Sequence, residues 1–196
     1  MGAELVIADP TIVEAHSVEV LGDSAYATGE MLHTLDQKQW TPLLKPWPLR
    51  PAVEGGFTID DFVHDPDAGT LTCPAGQTRV ITKSRKAFFG IACSQCPLRS
   101  RCTTAKKGRT IELHPHDLLQ RAHRKRAADE DFQATYRTKR PMVERSIAWL
   151  TRGNRRVPYR GVEKNNNWLH HRAAGLNLRR LLALGLILEA GTWQLR

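Results

Sequence analysis

A chain of 196 residues can hold one ordinary domain, or one domain carrying an insert. With 41% hydrophobic and 25% charged residues it reads as globular rather than disordered, and its net charge of +9 favours a polyanionic partner. Met1–Pro10 lacks the basic start and apolar run of a secretory signal, and the most apolar stretch, Ala173–Ala190, is broken by Arg179 and Arg180 and is shorter than the ~20 residues that span a bilayer. The expectation is a cytoplasmic protein with no membrane partner, a compartment in which disulfides are rare.

The charge is unevenly spread. Residues 1–70 hold 3 Lys/Arg against 12 Asp/Glu, whereas residues 71–196 hold 26 against 8. An acidic half can hold cations, and a basic half can displace counterions from a nucleic-acid backbone. In chain order, residues 17–22 alternate as a short strand that stops at Gly22-Asp23. A short helix over Gly29–Asp36 and a strand over Trp40–Lys45 follow. Residues 46–72, rich in Pro, Gly and Asp, read as loop and turn. Residues 73–113 carry all four cysteines and the β-prone pieces Arg79–Thr82 and Thr110–Leu113. From His116 to Lys139 the chain turns helical and basic. Pro141 opens or kinks a helix running to about Arg152, and after a loop at Gly153–Gly161 one long helix is expected over Asn165–Ala190, with Gly191 as its stop. The predicted regions are therefore 1–72, 73–113 and 114–196.

Three constellations can carry chemistry. Asp23, at the carboxyl end of a strand, has the oxygen donors that Mg²⁺ prefers, although the same residue type commonly serves as a turn residue or helix N-cap. On a continuous helix Arg140 and Glu144 share one face with Tyr136 a turn earlier; this can orient a ligating carboxylate, or be an ordinary ion pair. Cys73, Cys93, Cys96 and Cys102, separated by 19, 2 and 5 residues, offer the four soft ligands of a structural Zn²⁺ site. A reduced thiol cluster without metal is the other reading, and His114 or His116 could replace one cysteine.

The Asp23-Ser24-Ala25-Tyr26 element, the Tyr136/Arg140/Glu144 cluster, Tyr159-Arg160-Gly161-Val162-Glu163-Lys164 and the segment Ala173–Arg180 occur in one order and overall spacing. Together they resemble the DDE transposases of bacterial insertion sequences, those with a cysteine-bearing insert before the catalytic glutamate. The resemblance spans nearly all of residues 17–185. It departs from the family's Tyr-Arg-Glu-Lys signature in two places: Tyr136 lies one residue further from Arg140, and Thr151, beside Arg152, stands where the lysine is expected.

That resemblance implies an α/β, partial RNase H-like fold, and the small cysteine-rich insert is expected from its cysteine spacing to bind zinc. It implies Asp23 and Glu144 as Mg²⁺ (or Mn²⁺) ligands of a site that cleaves and transfers DNA strands, with Arg140 beside them. Arg99, Arg101, Arg124, Lys125, Arg126, Arg152, Arg155, Arg156, Arg160 and Lys164 become candidate DNA contacts, the partner being transposon ends. The family's first Asp lies on an earlier strand, and only 22 residues precede Asp23; Asp9, beside Pro10, is too close to supply it, and Glu4, Glu14 and Glu19 serve no better. The chain is therefore expected to be a C-terminal part, inactive alone, that meets an upstream-encoded N-terminal half, in an assembly that can be oligomeric. The alternative is a non-catalytic, zinc-stabilised DNA-binding protein.

Overall fold

The computed structural model describes residues 18–151 and 156–195, together with Glu4 and Ile7. The chain divides into two compact units, residues 1–134 and 135–196.

The first unit opens with a parallel pair, β1 (Glu19–Gly22) and β2 (Thr41–Leu44), in which Gly22 lies opposite Leu44. Among the described residues neither strand has a further neighbour. The helix that crosses between them, α1 (Gly29–Gln37), is capped by Thr28, whose hydroxyl accepts from the Met31 N–H. Its apolar positions Met31, Leu32 and Leu35 are buried with Val20, Ala27 and Leu44 in a small core. The strand–helix–strand reading of this segment matches the structure to within a residue or two.

Residues 46–72 differ from the expected loop. β3 (Val63–Asp65) and β4 (Thr70–Thr72) form a hairpin, and β5 (Thr78–Val80) adds a third antiparallel strand. The punctuating residues form the hairpin turn instead of dissolving the strands: Asp65 Oδ1 accepts from the Asp67 and Ala68 N–H groups. A further pair, β6 (Lys86–Phe88) with β7 (Thr110–Glu112), brackets the 3₁₀ turn Gly90–Cys93 and the one-turn helix α2 (Arg99–Cys102). Phe62, Leu71, Phe89, Ile111 and Leu113 are buried together with Cys93 and Cys102, and each large apolar side chain removed from water contributes about 1.5–3 kcal/mol.

Two polar clamps fasten α3 (Asp117–Ala127) to this sheet region. Asp117, 1% exposed, meets His64 Nδ1 at 3.0 Å and Arg121 Nε at 2.7 Å, while Arg121 Nη1 donates to the Phe62 carbonyl. Arg124 grips Asp60 through Nε at 2.7 Å and Nη2 at 2.6 Å.

α4 runs from Glu130 to Thr151, so Pro141 lies inside the helix and does not open it. The ring removes one donor from the ladder, and the flanking turns keep their helical form. In the second unit α5 (Val162–Ala183) meets the last turns of α4 through Arg172, whose guanidinium lies over the rings of Trp149 and Trp168 and donates to the Trp149 carbonyl at 2.9 Å. No residue of α5 is fully buried.

The expected long helix ends seven residues early. Gly185, at φ +89°, supplies the left-handed residue after the last turn, and the Leu184 N–H closes back on the Arg180 carbonyl. β8 (Leu186–Glu189) and β9 (Thr192–Leu195) then pair as a hairpin whose two turn residues, Ala190 and Gly191, both have positive φ. Gly191 thus turns a hairpin and does not stop a helix. Among the described residues no helix is long and apolar enough to cross a membrane.

Candidate functional site

Asp23 follows directly on β1, at the carboxyl end of a parallel strand, where α/β sheets present their ligands. It caps the 3₁₀ turn Ser24–Tyr26, Oδ1 accepting from the Ala25 N–H at 2.9 Å, and its side chain is exposed. The cap and the ligand readings are compatible, because a carboxylate oxygen held by a backbone N–H is a fixed one. Behind it, α1 brings up Glu30, and His114 Nε2 lies 3.0 Å from Glu30 Oε1. The His116 N–H donates to His114 Nδ1, so that nitrogen is unprotonated and Nε2 carries the hydrogen given to Glu30. A hydrogen bond from backbone N–H lowers the Glu30 carboxyl below its ordinary range, with His114 adding to the effect.

This imidazole sits so close to α1 that a Cβ at Gly29 would come within 2.2 Å of it. His116 in turn stacks on His33, with centroids 4.1 Å apart. Burial, then the neighbouring His33 and His114, push His116 toward its neutral form. These histidines were not assigned a role near Asp23 by the sequence; the signal was the tight Gly29 beside Glu30, which needs a distant partner to interpret.

On α4 the Tyr136, Arg140 and Glu144 side chains form one ladder. Arg140 Nε donates to Glu144 Oε1 at 2.5 Å, Nη1 donates to the Tyr136 hydroxyl, and the guanidinium carbon lies 5.4 Å from the Tyr136 ring centre. Tyr136 is buried and Glu144 is exposed, so the arginine links a fixed phenol to an accessible carboxylate. The hydrogen bonds to Glu144 and Tyr136 hold the guanidinium more firmly charged than usual.

The Tyr159–Lys164 segment is pinned by a residue the sequence did not single out. Asn165 Oδ1 accepts from the Tyr159 N–H at 3.0 Å, and Nδ2 donates to the carbonyls of Tyr159 and Gly161 at 2.6 Å each. That turn leaves Arg156, Arg160 and Lys164 exposed. Arg152 and Arg155 lie outside the described residues.

The other candidate DNA contacts divide into inward and outward groups. Arg124 is engaged with Asp60, and Arg126 donates to the Pro42 carbonyl and lies over Phe132. Arg99 is turned inward, donating to the carbonyls of Cys93 and Ala105, and Arg101 lies over Phe57. Lys125 is exposed, as are Lys106 and Lys107 in the same loop region as Arg99.

All four cysteines are free thiols and line one cavity. Neither His114 nor His116 is among its walls. Burial raises the Cys102 thiol, and Arg109 opposes that shift. Among the described residues no group of three or more His, Cys, Asp or Glu side chains is placed to hold a metal ion. Asp23 and Glu144 each offer hard carboxylate oxygens, the donors that suit Mg²⁺.

The first unit is thus a mixed α/β frame bearing a strand-end acid, and the second a helical unit bearing a glutamate held by arginine. The family model described as Transposase DDE domain matches residues 72–182, more than half of the chain, and the chain belongs to that family. Glu144, Arg140 and all four cysteines fall inside the match, whereas Asp23 precedes it. No curated protein and no solved structure matches the chain. The family match supports a function in transposition, with DNA as the partner and a divalent metal as the family's general requirement.

Proposed function

We propose that this chain contributes two of the three carboxylates of a transposase active site that cleaves and transfers DNA strands. In this reading Asp23 and Glu144 bind Mg²⁺ or Mn²⁺ within an RNase H-like core, and the third acid comes from an upstream-encoded half, without which the chain is inactive. The observation that carries the reading is the Tyr136–Arg140–Glu144 ladder within the matched span: a buried phenol and a guanidinium hold one exposed carboxylate in a fixed place. Divalent ions at such carboxylates activate the attacking oxygen and stabilise the leaving one. Arg140 orients Glu144 and adds positive charge where the phosphoryl group becomes more negative.

DNA enters this account through phosphate contacts. Arg156, Arg160 and Lys164 are exposed in the second unit, and Lys125 carries the same charge in the first. The place of action is the cytoplasm, and the assembly with the other half can be oligomeric.

The test is Mg²⁺-dependent cleavage of transposon-end DNA by the chain mixed with its upstream-encoded half. Activity is expected in the mixture, absent from either part, and reduced at least ~100-fold by Asp23→Asn or Glu144→Gln. Binding of DNA without cleavage under any mixture would instead favour a zinc-stabilised DNA-binding module, a reading supported by the four thiols around one cavity.

A further inference from the structure

Residues 68–111 contain nine Lys/Arg and no Asp/Glu, a balance that suits a polyanion. Four of the arginines face inward. Arg85 donates to the Leu113 and His114 carbonyls, Arg99 and Arg101 are turned onto the protein, and Arg109 lines the cysteine cavity with its Nε buried. The lysines differ. Lys86 pairs with Glu112 at 3.2 Å, whereas Lys83, Lys106 and Lys107 are exposed and make no ion pair among the described residues.

Two of these lysines stand beside an apolar tip. The 3₁₀ turn Gly90–Cys93 follows the buried Phe89 and ends on the buried Cys93. Between them Ile91 is 91% exposed, more than any other large apolar side chain among the described residues. Its carbonyl accepts from the Ser94 N–H at 2.9 Å and from the Ser94 hydroxyl at 2.7 Å, so the backbone that carries it is fixed. Phe88, also exposed, ends the strand that leads into this turn. A second turn, closed by the Gly108 N–H on the Ala105 carbonyl, carries Lys106 and Lys107 at its centre. The two turns press together: a Cβ on Gly108, at φ +85°, would come within 2.4 Å of the Gly90 carbonyl oxygen. Arg99 ties them, Nη1 donating to the Cys93 carbonyl and Nη2 to the Ala105 carbonyl, each at 3.1 Å.

We propose that this double turn is a DNA-deforming wedge, in which Ile91 inserts between base steps from the minor groove while Lys106 and Lys107 hold the flanking phosphates. An apolar side chain on a rigid mount can part stacked bases and kink a duplex by about 20–90°. Lysines, as compact point charges, fix the register without reading sequence. Arg99 is a positioning residue here, because its guanidinium faces the two turns and not the duplex. An anionic lipid surface would also accept an apolar tip among lysines, but the family match favours DNA. The inference rests on DNA being the partner, as proposed above, and uses no residue of the Asp23 or Glu144 constellations.

Energy transfer between dyes on the two ends of a short duplex with a flexible TA step, bound by the full chain at saturation, tests it. The chain should bring the ends closer, and Ile91→Ser should remove most of that change while affinity falls less than ~10-fold. Ile91→Met, which keeps an apolar wedge, should restore the bend. Lys106→Gln combined with Lys107→Gln should lower the salt dependence of binding by about two phosphate contacts. An unchanged melting temperature is expected in Ile91→Ser, since the side chain has almost no contacts to lose. An equal bend in wild type and Ile91→Ser, with both binding DNA, overturns the wedge alone. Failure of the chain to bind DNA overturns the DNA reading with it. Capture by phosphatidylserine vesicles that depends on Ile91, without any bending of DNA, gives the surface to a membrane and also overturns the wedge.

Discussion

Arginine does two different jobs in this molecule, and only the structure separates them. Arg124 and Arg126 lie in a basic run that looks like a phosphate-binding face, yet their guanidinium groups are engaged with Asp60 and with the Pro42 carbonyl. Arg140 was legible, because its separation of four from Glu144 predicts a shared helical face whatever surrounds it. His123 in the same basic run was not, since its partner is 79 positions away: Nε2 donates to the Leu44 carbonyl at 2.8 Å, and Nδ1 is buried with no partner. Burial makes this histidine harder to protonate, against the opposing pull of the Leu44 hydrogen bond. The unfolded chain binds the proton near the ordinary value of about 6.5, so the contribution is complete above that pH and is lost as pH falls toward the lower folded value. Thermal denaturation should accordingly show stability falling with acidity below about pH 6.5, and a shallower fall in His123→Phe. Equal slopes in the two proteins would remove His123 from the account.

Among elements, local periodicity succeeded where a segment answers to its own neighbours. Val20, Leu32, Leu35 and Leu44 fall at strand and helix spacing around one small core, and β1, α1 and β2 are where the residues imply. It failed where punctuation has two meanings. Pro66 and Gly69 read as loop residues, but they flank a turn between three-residue strands too short to show alternation. Leu186, Ile187 and Leu188 extend the apolar character of α5, so the boundary rests on Gly185 alone.

The terminal hairpin also carries an avoidable cost. Ala190 occupies φ +50°, a left-handed conformation that disfavours a Cβ by about 1–2 kcal/mol. Ala190→Gly should relieve that strain, offset in part by the greater freedom of glycine in the unfolded chain, for a net gain below about 1 kcal/mol. Amide exchange should slow across Leu186–Leu195 and stay unchanged in α1. Faster exchange in the hairpin would show that the turn is not left-handed.

At the level of the whole molecule, the family was legible because its evidence is an order of motifs, which survives without coordinates. The cysteines were legible as a set by spacing, while Arg109 was not, since nothing in a lone arginine announces a buried, unpartnered Nε. The least legible relation is between the two units, where the acid after β1 and the acid on α4 belong to different compact bodies. The proposed chemistry requires them to share a cation. Iron(II) substituted for magnesium, in the full chain mixed with its upstream-encoded half and treated with peroxide and ascorbate, cuts polypeptide beside the bound metal. A shared cation predicts cuts adjacent to both Asp23 and Glu144, suppressed together by excess Mg²⁺ and lost together in Glu144→Gln. Cuts at one acid only, or at both with independent loss, would contradict it.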